Sequence, residues 1–134
     1  HDIGMFVRAR EHNKHSHYII SQSEIFGLSR EDLGIVAQIA GYHRGQKIPQ
    51  DDSEFKLQPR VIRLTILKLT AILRVADAMD RSHRQKFPDA TISLGKDTMT
   101  IRVKTVDNLR LEKFAIKEKG EMFENVFGYK IVLM

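Results

Sequence analysis

The stretch from Pro59 to about His83 constrains the fold of this chain more than any other. A proline in the first turn of a helix costs nothing, because the amide it lacks would have had no partner there. Beyond it Ile62, Ile66, Leu69, Leu73 and Ala76 recur at alternating steps of four and three. That spacing predicts one long helix with these five residues turned toward a core. Asp77 and Asp80 continue on or beside the same face, and two carboxylates emerging from an apolar seam need a reason to be there.

The remaining segments sort by period. His1 to Arg10 reads as the end of a helix running into a turn, and the histidine-rich stretch from Glu11 to His17 starts a short helix that continues through Ile20. Gly27 breaks it. Ser29 and Asp32 have the spacing of a capping box, in which each side chain accepts from the other's backbone amide, so a helix is expected from there to about His43. Leu33, Val36, Ala37 and Ala40 form its apolar stripe, and His43 extends that stripe. Gly45 and Pro49 end the helix, and residues 46–55 form a polar connection with the acids Asp51, Asp52 and Glu54. From Asp89 the pattern alternates instead: Thr91 to Leu94, a turn at Gly95-Lys96-Asp97, then Met99, Ile101 and Val103, which predicts a β-hairpin. Leu111 to Phe127 predicts one helix with Leu111, Phe114, Ala115, Glu118, Met122 and Val126 on one face and Gly128 as its stop. Tyr129 to Met134 supplies a last strand. The expected fold is mainly α, a helical domain over 1–88 followed by a small ββαβ α+β subdomain over 89–134.

Composition narrows the chemistry. With 134 residues the chain fits one domain, or one with a small appendage, and its 42% apolar and 29% charged residues argue against disorder. It has no cysteine. Disulfides and thiolate chemistry are therefore excluded, and a metal would be held by histidine, carboxylate and water, which favours harder ions. No apolar run approaches the roughly 20 residues that span a bilayer, and no signal-like N-terminus is present, so a cytoplasmic protein without a membrane partner is expected. The chain opens on His1-Asp2 rather than methionine, which reads as a cut inside a longer protein. The formal charge is +5, and residues 1–88 hold 14 Lys+Arg against 10 Asp+Glu as well as all six histidines. An anionic partner suits that balance, and the chemistry is concentrated before Pro88.

The candidate metal ligands are His1, Asp2, His15, His43 and Asp77. An adjacent histidine and aspartate can both turn toward one divalent ion, such as Mg or Mn, with further ligands from separate helices, and an ion so held polarises a phosphate oxygen and activates water. Taken singly, each has a bland reading. A lone helical histidine is more often a satisfied core or surface residue, above all His12, His17 and His83, and Asp77 and Asp80 have arginines three or four residues away with which to form surface ion pairs. Arg44, Lys14, Arg74 and Arg81 are the candidate phosphate ligands, with Arg8, Arg10, Lys47 and Arg84 near them, since guanidinium forks suit bidentate phosphate contacts. Aromatic residues are not interleaved with the basic ones, which makes nucleic acid a lesser reading.

Taken in order, the motifs are more specific. HDIG at 1–4, HNKHSHYII at 12–20, IAGYHR at 39–44, LRVADAMDRS at 73–82 and LEKFAIKEKGEMFENVFG at 111–128 resemble the C-terminal region of the Ppx/GppA family, the exopolyphosphatases and guanosine pentaphosphate phosphohydrolases. The same order is similar to the HD superfamily of metal-dependent phosphohydrolases, so the resemblance implies an HD-domain-like helical bundle. It also implies that His1, Asp2 and Asp77 correspond to the HD doublet and its distant aspartate, and that His15 and His43 correspond to the further histidines some HD proteins use for a second metal. The histidine that precedes the doublet on an upstream helix in that superfamily is not among these residues. In this family catalysis is attributed to N-terminal actin-like domains, also not among these residues, while the HD-like part lengthens an anion channel and helps form dimers.

The leading expectation is therefore the polyphosphate-binding and dimer-forming end of an exopolyphosphatase-type hydrolase acting on polyphosphate or on guanosine pentaphosphate, with polyphosphate or guanosine penta- or tetraphosphate as the bound partner. The enzyme alternative is an independent HD phosphohydrolase that cleaves a nucleotide with a divalent metal. The third is a structural or regulatory module with a vestigial site.

Overall fold

A computed structural model describes residues 1–45, 49–104 and 108–134. Lys47 lies outside the described residues. By internal contacts the chain divides into two compact units, His1–Thr70 and Ala71–Met134. The division falls inside the longest helix; Pro88 marks a different event, the change of residue pattern from helix to strand.

The first unit opens with a 3-10 turn at Ile3–Phe6, followed by α1 (His12–Gln22), α2 (Arg30–Tyr42), a second 3-10 turn at Pro49–Asp51, α3 (Ser53–Leu57) and the start of α4 (Arg60–Met79). The α2 N-terminus is the expected capping box: Ser29 Oγ accepts from the Asp32 amide at 3.1 Å and Asp32 Oδ2 accepts from the Ser29 amide at 3.0 Å. Leu33, Ala37 and Ala40 pack with Ile20 of α1 as the core. Val36, placed on that stripe by its spacing, is exposed, because the stripe narrows to the residues that meet α1. Asn13 Nδ2 donates to the Gly41 carbonyl at 2.9 Å, and Glu54 accepts from Gln38 and lies 3.3 Å from His17. These bonds fasten α1 and α3 to α2. The connection after Gly45 also holds a short helix, α3, which its polar residues concealed. Asp52 caps it by accepting from the Glu54 amide.

α4 is a single helix of 20 residues, but its buried face is not the one its spacing predicts. Ile66, Thr70, Ala71, Arg74, Val75 and Ala78 are buried, whereas Leu69 is 44% exposed and Ala76 is exposed. The helix is apolar around most of its circumference, with Val61, Leu64 and Ile72 also exposed. Hydrophobic spacing therefore offers more than one face, and the spacing alone does not say which of them is buried.

The second unit continues from α4 into β1 (Thr91–Leu94), β2 (Thr98–Arg102), α5 (Arg110–Lys119), α6 (Glu121–Phe127) and β3 (Lys130–Leu133). β1 and β2 are antiparallel with Ile92 opposite Ile101, and β3 lies parallel to β2 with Leu133 opposite Ile101, giving the sheet order β1-β2-β3. A parallel pair needs a long crossover, and the helices supply it. The single helix expected over 111–127 is two helices that meet at Gly120, and the buried residues are Glu112, Ala115, Ile116, Met122 and Phe123. Leu111 and Phe114, placed on the inner face by their spacing, are exposed. A break at Gly120 rotates the stripe of the second half relative to the first, so one continuous helical period cannot locate both. Gly128 ends α6 with φ +76°, as expected of a glycine stop. The fold is mainly helical with a small sheet at the C-terminal end, in agreement with the residue pattern.

Candidate metal centre

The centre is assembled from three places in the first unit. The 3-10 turn carries His1 and Asp2 to the start of α1, and this depends on Gly4. Its amide donates to Ser16 Oγ at 2.8 Å, and a Cβ there would lie 2.0 Å from the His12 carbonyl oxygen. Only glycine lets the turn lie this close to α1, which accounts physically for the last letter of HDIG. On α1, His12, Ser16 and Ile20 form the buried stripe at steps of four. His43 sits at the C-cap of α2, where the apolar stripe of that helix ends.

Both histidines are deeply buried, His12 at 3% and His43 at 1% exposure. Their orientation is set by backbone carbonyls: His12 Nδ1 lies 3.0 Å from the Ala9 oxygen and His43 Nδ1 lies 2.5 Å from the Ala40 oxygen. A carbonyl only accepts, so Nδ1 of each ring is the protonated nitrogen and Nε2 of the neutral ring carries a lone pair. Those two Nε2 atoms are 3.1 Å apart, and Asp2 Oδ1 is 3.0 Å from the first and 3.3 Å from the second. Asp2 Oδ2 lies 3.3 Å from His1 Nε2, and the His1 and His43 rings meet edge to face with centroids 4.7 Å apart. One ligand atom from each of His1, Asp2 and His43 falls within 4.8 Å of the others.

Three lone-pair-bearing atoms at this range repel one another unless they share a proton or a cation. Ligands bonded at about 2.1 Å to one ion lie about 3.0–3.4 Å apart, and the three separations here match that interval. The donor set, two or three imidazoles and a carboxylate, is one that divalent first-row ions and zinc accept. The residues fit a metal.

The other expected site residues fall in different places. Among the described residues, His15 does not join the group within 4.8 Å; its Cβ instead packs beside Gly4. His12, read from the sequence as a bland helical histidine, is the one that converges. The signal for it was the i, i+4, i+8 run of His12, Ser16 and Ile20, which places a polar head on an inward stripe. Asp77 belongs to the second unit, where Lys119 of α5 donates to its Oδ2. That partner is 42 residues away and invisible to helical spacing. Asp80 Oδ1 accepts from the Gln85 amide at 2.9 Å.

The basic residues also separate. Arg44 is exposed, and its Nη1 comes to 3.5 Å from His12 Nδ1; because that nitrogen already donates to Ala9, the contact is a charge at the rim of the centre rather than a hydrogen bond. Lys14 is exposed and pairs with Glu11 at 2.5 Å, which together with the Lys14 charge holds the Glu11 carboxyl below its ordinary range. In the second unit Arg81 is exposed, while Arg74 is buried, and burial lowers the pKa of its guanidinium. Among the described residues no helix is long and apolar enough to cross a membrane.

A comparison with curated proteins finds no match. A family model does match, over residues 1–119, and its description is Ppx/GppA phosphatase, domain III. The match takes in the doublet at His1-Asp2, the centre at His12 and His43 and all of α4 and α5, and the chain belongs to the Ppx/GppA phosphatase family as its domain III.

Proposed function

We infer that this domain III is the polyphosphate-binding, dimer-forming part of an exopolyphosphatase-type hydrolase, acting in the cytoplasm on polyphosphate or on guanosine penta- or tetraphosphate. In this reading His12, His43 and Asp2 hold a divalent ion of the Mg or Mn kind, with His1 beside them. The observation that carries it is the convergence of two imidazole Nε2 atoms and one carboxylate oxygen within 3.3 Å, with both Nδ1 atoms committed to carbonyls. When bound, such an ion supplies Lewis-acid polarisation of a phosphoryl oxygen. The residues themselves do the rest. Ala9 and Ala40 fix the ring tautomers, Gly4 brings Asp2 into place, and Arg44 offers a guanidinium fork at the rim for a second phosphate oxygen.

Elemental analysis after incubation with Mn²⁺ and dialysis tests the centre: the chain is expected to retain the ion and His43→Ala to lose it. Retention by both would remove the centre from the proposal. Asp77→Ala in the same measurement tests the ligand role that the family resemblance gives to Asp77. Titration with polyphosphate at two salt concentrations tests the anion reading. Binding that depends on Arg44 at both concentrations supports it, whereas binding that disappears with salt alone points to diffuse charge.

The same convergence is what an independent HD phosphohydrolase would need. Nucleotide hydrolysis by this chain with Mn²⁺, lost in His12→Ala, is the result that would favour that reading. The dimer is supported by the exposed apolar residues Val61, Leu64 and Ile72 of α4, and light scattering on Leu64→Glu tests it.

A further inference from the structure

The second unit carries a groove of about 470 Å³ that has no part in the metal centre. Successive side chains of a strand point to opposite faces, so a pocket on one face of a sheet is lined by alternate residues. This groove is lined by four consecutive residues, 130–133, the whole of β3. It therefore runs along the edge of that strand, and β3 is the edge of the sheet.

The backbone at that edge is oriented outward at two positions. The Lys130 amide donates to Asp97 at 3.0 Å and the Met134 amide donates to Ile101 at 2.9 Å, both toward β2. With Ile131 and Leu133 opposite Met99 and Ile101 in a parallel ladder, the period of two turns the amide and carbonyl groups of Ile131 and Leu133 away from β2. An extended chain laid along this edge would meet two donors and two acceptors in register.

The opposite wall decides what kind of chain. Ile116 gives it an apolar centre, and Lys113 and Lys117 stand one helical turn apart on α5. Four residues of helix advance about 6 Å, and two residues of strand advance about 6.6 Å. Acidic side chains two apart on an extended peptide therefore match the two lysines, with Lys130 adding a third cation on the strand. Among the described residues no ion pair engages these three lysines. Glu121 and Glu124 also line the groove, which disfavours a uniformly charged polyanion such as polyphosphate and suits a peptide that is acidic at selected positions only. Most of the groove, seven of its ten lining residues, lies beyond residue 119, where the family match ends.

We propose that the free edge of β3 and the facing side of α5 form a docking groove for an extended protein segment that carries acidic residues two apart and adds as a fourth strand to the sheet. Strand addition at an exposed edge takes affinity from main-chain hydrogen bonds and specificity from the side-chain pockets, and the two contributions can be tested apart.

The experiment titrates the whole chain with a short fluorescein-labelled peptide containing Asp-Val-Asp, and follows amide resonances of the second unit by NMR. The peptide is expected to bind and to shift Ile131 and Leu133 most. Lys113→Glu with Lys117→Glu is expected to weaken binding about tenfold or more; both residues line an open groove, and circular dichroism checks that the variant is folded. N-methylation of alternate peptide amides in one register is expected to abolish binding, while the other register retains it. Three results would overturn the proposal: equal binding of the Asn-Val-Asn peptide, indifference to N-methylation in both registers, or displacement of the peptide by inorganic polyphosphate at equal phosphate-to-carboxylate ratio. The last would identify a polyanion site instead.

Discussion

The two units bury polar groups in opposite ways. In the second, Lys86 Nζ lies 3.3 Å from both oxygens of Glu112 and donates to the Asn108 carbonyl at 2.9 Å, with Lys86 and Glu112 both buried. Charge meets opposite charge. In the first, His12, His43 and Asp2 bring like electron pairs together, and no rearrangement of neutral tautomers fits all three while the Nδ1 atoms hold their carbonyls. The comparison teaches that burial of polar side chains is not in itself a mark of function. A pair that neutralises itself is complete as it stands, whereas a cluster of like electron pairs is relieved only by a shared proton or a cation.

The largest effect should come from breaking the balanced pair. Lys86→Met leaves the Glu112 carboxylate buried without its cation and is expected to destabilise the fold by about 3–5 kcal/mol, measured by urea denaturation. The pH dependence follows from the same pair. Burial by itself would raise the Glu112 pKa, but the Ser82 hydroxyl, its own backbone amide and Lys86 together hold the carboxyl below its ordinary value. A depressed folded-state pKa means that the stabilisation is present above the unfolded-state value and is lost as the pH falls through the folded one. Wild-type protein should thus lose this contribution only in acid, and Glu112→Gln should flatten the acid limb of the stability profile.

Gly4→Ala comes next. The added Cβ meets the His12 carbonyl and the Ser16 amide, and overpacking of this kind costs about 1–3 kcal/mol. It should also abolish Mn²⁺ retention by moving Asp2, and thermal melts with and without the ion read both effects. Retention unchanged in Gly4→Ala would show that Asp2 does not depend on that close approach.

The unbalanced group should behave in the reverse sense to the pair. His12→Gln removes one of three repelling acceptors and is expected to change the metal-free stability by less than about 1 kcal/mol, because a lost repulsion offsets the lost packing. Wild-type protein at Mn²⁺ a hundredfold above its Kd should gain about 2.7 kcal/mol, and the variant should gain nothing. A metal-free loss as large as that of Lys86→Met would place the histidines with the structural pair and erase the distinction between the units. An effect smaller than the metal-linked gain is expected at Glu11, which holds a left-handed φ of 57° immediately before His12. Glu11→Gly should relieve strain and stabilise by about 1 kcal/mol, seen as a higher melting temperature.

Much of the fold was legible because it is written in local chemistry. The Ser29 and Asp32 cap, the Gly95 turn and the Gly128 stop each depend on residues within one turn of each other. The faces of α4 and α5 were not legible. Their sequences offer several apolar stripes, and the choice among them belongs to whatever packs against them. The candidate cluster was legible only in part for the same reason. His1, Asp2 and His43 stood out by motif and stripe, whereas His12 comes to lie beside them because α1 lies with its His12, Ser16 and Ile20 edge inward, and no count of histidines says which edge that is.

What the amino-acid order determined by itself was local: where helices start and stop, where alternation replaces helical period, which residue types are at hand for a metal or a phosphate, and the succession of motifs that goes with the family. Tertiary structure alone decided which nitrogen faces which oxygen, that Asp77 answers to Lys119, and that β3 leaves an edge open beside two lysines. The physical reason is one of range. Caps and turns are settled by bonds between neighbours in sequence, while His12 meets His43 across 31 residues and Asp77 meets Lys119 across 42, and such separations are set only when the helices that carry them have chosen their buried faces.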